Sequence, residues 1–200
     1  MIKINGAIPN VVGVAVSGGP DSMAILDFLT RGNREVFAVH FDHGTEHGSN
    51  ASKFVKEYCD KNSIKLYSSK ANRERLSTES PEEYWRNMRY NFFRSLDFDI
   101  ITGHTLDDQV EQWIMTSLHA NPRLIPYRNR NVFRPFMTTT KDTLVSWCKR
   151  KNVPFVVDPS NFDDKYMRSF VRKNIVPQAL IYNPGLYKVV KKKVISQSFT

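Results

Sequence analysis

Cysteine is nearly absent: the 200-residue chain carries only Cys59 and Cys148, far apart and in no Cys-x-x-Cys pattern. Zinc-ribbon and iron–sulfur spacings are thereby excluded, and so is a disulfide framework. Both thiols read as core residues in a reducing compartment. No apolar run approaches the roughly 18 residues that a membrane helix needs, and the opening MIKINGAIPN has no signal-peptide core. The expected location is cytoplasmic, with no membrane partner. Acid is scarce relative to base: Asp plus Glu number 20 against 29 Lys plus Arg, for a formal net charge of +9. Such an excess favours a polyanionic partner, nucleic acid ahead of an anionic membrane surface; a merely basic soluble protein is the plainer reading. Internal repeats and low-complexity linkers are also missing.

What is present suffices for a core, with 40% hydrophobic and 12% aromatic residues. Strand patterns fall at 11–16, 35–41, Ile64–Tyr67, Asp99–Thr102 and Phe155–Val157. Helical patterns fall at about 21–30, 50–62, 81–96, 106–119, 140–151 and 164–181. This alternation predicts an α/β fold, a parallel sheet with helices on both faces and ligands received at the strands' C-terminal edge. The clearest helix start is SPEEYWRNMRYNFFRSL, with Ser80 as N-cap, Pro81 in the first turn and Glu83 closing a capping box. Trp85, Met88, Phe92 and Leu96 form its expected apolar stripe, while Arg86, Arg89 and Tyr90 lie on another face. Residues 120–135 read as irregular. The predicted organisation is a catalytic domain over 1–183 and a basic C-terminal tail over 184–200.

The chemistry is concentrated in VVGVAVSGGPDSMAILDFL, residues 11–29, where a buried strand runs through Ser17–Gly18–Gly19–Pro20–Asp21–Ser22 into a helix. A glycine turn there leaves backbone N–H groups facing outward, and the helix adds its own free N–H groups and positive dipole end. Gly18 and Gly19 permit close approach of a phosphate, and Pro20 surrenders no needed donor. Ser17 and Ser22 can add hydroxyls. Asp21 would repel a bare phosphate, and makes sense if Mg²⁺ lies between carboxylate and phosphate. An ordinary turn with Asp at a helix start is the bland alternative. Walker A is excluded for want of its lysine, and the dinucleotide fingerprint for want of Gly-x-Gly-x-x-Gly. Asp108 and Glu111 are three apart and share a helical face; Thr105 to Asp108 is also a capping-box pattern, so site and cap both remain open.

SGGPDS in this setting resembles the pyrophosphate loop of N-type ATP pyrophosphatases, the PP-loop superfamily. With AVHFDHG (38–44), WRNMRY (85–90), TGHTLDDQVE (102–111), FRPFMTTTKDTL and VVDPSNFDDKYMRSFVRKNIVP, the chain over roughly 11–180 resembles the tRNA(Ile)-lysidine synthetase family. Thr105 stands where that family has a second histidine, and Ser169 where it has an asparagine. The resemblance implies a short form without the family's C-terminal domains. It further implies a cytoplasmic C–N ligase that uses ATP and Mg²⁺ to adenylate a cytidine O2 and then attaches lysine at the wobble position of a tRNA.

On that resemblance Asp21, Arg89, His104, Asp108 and Glu111 are catalytic. Ser17, Gly18, Gly19, Pro20, Asp21, Ser22, Asp42, His43 and Arg168 hold ATP, and Asp21 holds the metal. Asp108 and Glu111 are expected as exposed carboxylates taking the lysine ammonium. Partners would be lysine and the tRNA anticodon arm, and a homodimer is compatible. Arg123, Arg128, Arg130 and Arg134 with Tyr127, in a stretch without an acid, are expected to grip RNA, or else to form a solvated loop. Lys188 and Lys191–Lys193 are expected in a phosphate-binding tail or a frayed terminus. RNA thiolation by the same ATP chemistry and a non-catalytic RNA-binding relative are the alternatives.

Overall fold

The computed structural model describes residues 1–71, 75, 77–157 and 167–197, without the side chains of 46, 47 and 82. The expected DPSN turn at 158–161 and its neighbours Asp163 and Asp164 lie outside the described residues. The elements run β1 (Val11–Ala15), α1 (Pro20–Thr30), β2 (Glu35–Asp42), α2 (Glu46–Lys61), β3 (Leu66–Lys70), α3 (Pro81–Arg94), β4 (Ile100–Ile101), α4 (Leu106–Leu118), β5 (Arg128–Asn129), β6 (Val132–Phe133) and α5 (Lys141–Lys151). A last helical stretch joins α6 (Met167–Phe170), a π-helical turn (Val171–Ile175) and α7 (Val176–Tyr182), before α8 (Leu186–Gln197). The six strands lie in the order β3-β2-β1-β4-β6-β5. All pair in parallel except the β5–β6 hairpin. The α/β fold is as expected.

Strand side chains alternate between two faces. Val12, Val14, Ala38, Ile101 and Phe133 join one cluster with buried residues of α1, α2 and α5. Their neighbours Val39, Ile100 and Val132 join another with Tyr90 and Phe93 of α3. Helix α1 is buried nearly all round, from Ser22 to Asp27 and at Leu29, as its mostly apolar sequence requires. Ser80 caps α3 by accepting from the Glu83 amide at 3.1 Å. The buried residues of α3 are Tyr84, Tyr90 and Phe93, whereas the expected stripe of Trp85, Met88, Phe92 and Leu96 is only half-buried. That stripe lies beside an aromatic edge, where Trp85 meets His43 and Phe92 meets Phe41.

Two expectations about elements fail. Phe155–Val157 is not a strand: the Val156 amide donates to Gly18 O at 2.9 Å, and the sheet position beside β4 is held by β6 from the stretch expected to be irregular. The lysine-rich end is not a tail over the described residues. Leu186, Val190 and Val194, spaced four apart, bury against Leu106 and Val110 of α4 in a third cluster. Burying each such side chain contributes about 1.5–3 kcal/mol, while Lys188, Lys192 and Lys193 stay exposed and keep their solvation. Among the described residues, no helix is long and apolar enough to cross a membrane.

Candidate active site

The strand order reverses at β1, which continues to β2 on one side and borders β4 on the other. Ligands of open α/β sheets bind in the crevice at such a switch point, beyond the strands' C-terminal ends. A cavity of about 350 Å³ opens there. Of the residues expected to form the site, it brings together Ser17, Gly19, Pro20, Asp21, Ser22, His43, Arg89, His104, Asp108 and Arg168. Gly18, Asp42 and Glu111 do not line it.

The turn after β1 needs its glycine. Gly18 has φ +84°, and a Cβ there would come within 2.9 Å of Val156 Cγ2. Ser17 and Ser22 knit the turn from inside: the Ser17 amide donates to Ser22 Oγ at 3.2 Å, and Ser22 Oγ donates to Gly19 O at 3.0 Å. No side chain caps α1, so the first-turn amides are left to receive an anion. Asp21 Oδ1 is buried without a hydrogen-bond partner. Burial pushes the Asp21 carboxyl up to about 6, with Asp108 and Asp107 adding to the rise and Lys141 and Arg172 opposing it. A hard cation would relieve that oxygen, so the residue fits Mg²⁺. No group of three His, Cys, Asp or Glu among the described residues forms a metal cage. A site of one carboxylate completed by substrate phosphates is the usual arrangement for Mg²⁺.

His104 also lines the cavity, its Nδ1 2.9 Å from Thr102 Oγ1. Burial, together with the charges of Arg134, Arg168 and Arg89, holds its imidazole down to about 3 against the pull of Asp108. It is therefore a neutral hydrogen-bonding group at physiological pH. Burial also lowers the Arg89 guanidinium, with Arg86 adding to the shift. Arg168 donates from Nη2 to Gln112 Oε1 at 2.9 Å and keeps its place on the cavity wall.

The two carboxylates expected to be exposed are buried, Asp108 at 8% and Glu111 at 3% exposure. Asp108 Oδ2 accepts from both the Thr105 amide and Thr105 Oγ1 at 2.8 Å, and Oδ1 lies 3.2 Å from Lys141 Nζ. Burial would raise its pKa, but Lys141, His104 and the Thr105 hydrogen bonds bring it down to about 2. Glu111 is clamped by Arg172, whose Nε and Nη2 donate to its two oxygens at 2.6 and 3.0 Å. Asp107 serves the fold, accepting from Tyr187 Oη of α8 and the Lys141 amide of α5.

Asp42 closes a tight turn, accepting from the Gly44 amide at 2.8 Å, with Lys70 3.9 Å away. His40 is structural and buried: Nδ1 lies 2.7 Å from Val16 O and Nε2 2.8 Å from Ser52 Oγ. The arginine stretch turns one of its four charges inward. Arg134 is buried at 2% exposure. Arg128 forms a two-pronged pair with Asp99, an acid from outside the stretch, at 2.8 Å on each prong. Tyr127 donates to Asn5 O at 3.0 Å. Arg123 and Arg130 remain exposed.

Lys141 escaped the sequence reading. It directly follows the Thr140 N-cap of α5, where a cation opposes the helix dipole; that misfit was its signal. Arg134 had a signal too, as a lone cation inside the apolar run VFRPFM.

A doubly wound parallel sheet with an uncapped glycine turn at its switch point defines a nucleotide-binding α/β domain. The chain belongs to the PP-loop domain family, whose model matches residues 3–179, and ATP use follows from that membership. It is 32% identical over 177 residues to the tRNA(Ile)-lysidine synthase of Malacoplasma penetrans, covering 80% of this chain and 59% of that one. Against the tRNA(Ile)-lysidine synthase of Nitrosomonas europaea it is 32% identical over 194 residues, covering 88% and 42%. The chain thus spans only about half the length of these relatives. Among solved structures, the NH3-dependent NAD synthetase from Campylobacter jejuni superposes with a TM-score of 0.51 at 13% identity, covering 96% of this chain and 87% of that one, a likeness of fold.

Proposed function

We propose that the protein is an ATP-dependent tRNA-modifying ligase that forms lysidine. The observation that carries this reading is the buried, unpartnered Asp21 Oδ1 beside an uncapped helix start, in one cavity with His104, Arg89 and Arg168. The cytidine O2 attacks the α-phosphorus of ATP and pyrophosphate leaves. The lysine ε-amine then attacks C2, the C2–O2 bond breaks, AMP departs with that oxygen and a proton is released.

Asp21 is the residue that would hold Mg²⁺, and the ion supplies charge neutralisation of the leaving phosphates. The loop amides bind those phosphates, and Arg89 and Arg168 offset charge developing in the transition state. His104, being neutral, orients an oxygen by hydrogen bonding. Lysine is drawn to Asp108 on the cavity wall, where its ammonium exchanges with Lys141, and to Glu111 one turn along α4 once Arg172 gives way. The exposed Arg123 and Arg130 suit the phosphates of the tRNA anticodon arm. Buried free thiols suit a reducing cytoplasm. Thiolation is disfavoured, since burial pushes the Cys59 and Cys148 thiols up to about 11 and neither lines the cavity.

The test is mass spectrometry of isoleucine tRNA incubated with the protein, ATP, Mg²⁺ and lysine. A lysine adduct on the wobble cytidine is the expected product. Pyrophosphate–ATP exchange without that adduct would overturn lysine as the co-substrate and leave the adenylating half-reaction standing.

A further inference from the structure

We infer that Tyr90 is a hydrogen-bond donor to an anionic oxygen of the bound nucleotide, aimed by a buried Arg134 behind it; this rests on the nucleotide reading above. The starting point is a charge that lacks its counter-ion. Arg134, on the turn that leaves β6, is 2% exposed. Guanidinium groups are seldom buried to that degree unless paired. Among the described residues no carboxylate pairs with Arg134. Its Nη1 donates to Pro126 O and its Nη2 to Tyr90 Oη, each at 2.8 Å, while Nε is buried without a partner.

The bond to Tyr90 restricts what the phenol can do. A tyrosine hydroxyl carries one proton and accepts through its lone pairs. Arg134 occupies the accepting side, so the proton must point elsewhere. Buried hydroxyls normally find an acceptor, yet none among the described residues receives this one. Tyr90 is 6% exposed and borders the cavity, which leaves a ligand oxygen as the acceptor. A donor feeding the phenol oxygen also strengthens the O–H as a donor.

The surroundings set the sign of that ligand. The guanidinium carbons of Arg86, Arg89 and Arg94 lie 5.0, 5.9 and 5.9 Å from the Tyr90 ring centroid. With Arg134 on the hydroxyl, four arginines surround one phenol. A negatively charged oxygen, as on a phosphate, is favoured over a neutral carbonyl. Tyr90 is thus a binding residue, and Arg134 is a positioning residue acting through it.

The experiment compares wild type, Tyr90→Phe, Arg134→Lys and the double variant by calorimetric titration with ATP and Mg²⁺, and with adenosine. Tyr90→Phe keeps the ring and its packing. Loss of a hydrogen bond to a charged group predicts ATP binding weakened roughly 10- to 100-fold, with adenosine binding unchanged. Arg134→Lys keeps the charge and loses the fork, so it should weaken ATP less. The double variant should be no worse than Tyr90→Phe, because both changes remove one contact. Unchanged ATP affinity in Tyr90→Phe overturns the assignment, even if the Arg134 variants fail to fold. Equal losses for ATP and adenosine also overturn it, in favour of a packing role. Lysidine formation is read separately: its absence in wild type would retire the tRNA reading while a Tyr90-dependent ATP affinity stands.

Discussion

Buried acid is treated in opposite ways at the start of α1 and on α4. At the start of α1, Asp21 keeps one oxygen buried and unpartnered, and its carboxyl is pushed up to about 6. On α4, Asp108 and Glu111 are more deeply buried, yet Lys141, Thr105 and Arg172 engage them. The first keeps an electrostatic deficit; the second has removed it within the chain. Burial and charge alone therefore do not distinguish a binding group from a structural one.

The sharpest way to break the contrast is Asp21→Asn. Turnover with ATP and Mg²⁺ should fall several hundredfold or more, on the order expected for losing a principal electrostatic stabiliser. Stability should move the other way. The folded protein holds the Asp21 proton up to about pH 6 whereas the unfolded chain releases it near 3.8. Wild-type stability therefore falls as pH rises through that window, and the full penalty persists above it. In metal-free buffer at pH 7 the variant should be more stable by up to about 3 kcal/mol. Thermal melts check this, and an Asp21→Asn protein that melts lower and still turns over would refute the comparison.

The α4 carboxylates should respond with stability loss. Glu111→Gln strands the Arg172 guanidinium, and with that side chain 35% exposed the cost should be about 2–3 kcal/mol, below the range for a fully buried pair. The apparent KM for lysine should rise while ATP binding changes little. Equal effects on both substrates would mean general disruption of the site. Asp108→Asn should cost about 2 kcal/mol at pH 7. Its carboxyl lies near 2 folded and 3.8 unfolded, so its contribution is complete above pH 3.8 and is lost as pH falls toward 2. A denaturation series across that range should show the variant losing less stability on acidification than wild type.

The smallest effect belongs to the arginine stretch. Because Arg128 is held by Asp99 and Arg130 is exposed, Arg130→Ala should flatten the salt dependence of RNA affinity by about one log–log unit, and Arg128→Ala by little. Equal slopes for the two variants would show that the Asp99 pair opens to meet RNA.

Local chemistry was legible in the sequence where residue types, spacing and chain order had to coincide. The Ser17–Ser22 turn is such a case: glycine freedom, an uncapped helix and a misplaced acid all act over a few residues. The pairing of two arginines was illegible because the partners, Asp99 for the exposed Arg128 and Tyr90 for the buried Arg134, come from other parts of the chain. Helix α8 was hidden by composition, its lysines outweighing the short stripe of Leu186, Val190 and Val194. Strand β6, with two residues, is too short for any alternation to register. Phe155–Val157 had a strand's composition, but the Val156 amide is engaged by Gly18.

One contact near the glycine turn has a consequence in the counting of protons. Val16 O can only accept, so His40 Nδ1 must carry the hydrogen across that 2.7 Å bond. Burial keeps the ring's pKa below the usual histidine value, despite the Val16 bond, and in the neutral ring Nε2 is then an acceptor. Ser52 Oγ lies 2.8 Å from that Nε2 and also 2.8 Å from Gly48 O. Its single hydrogen is therefore shared between two acceptors, and at neutral pH one of them is always short. A second proton on the ring would resolve the shortage, giving an unbroken donor sequence from Nε2 through Ser52 to Gly48. The link between β1 and α2 is thus complete only in the protonation state that its own burial disfavours.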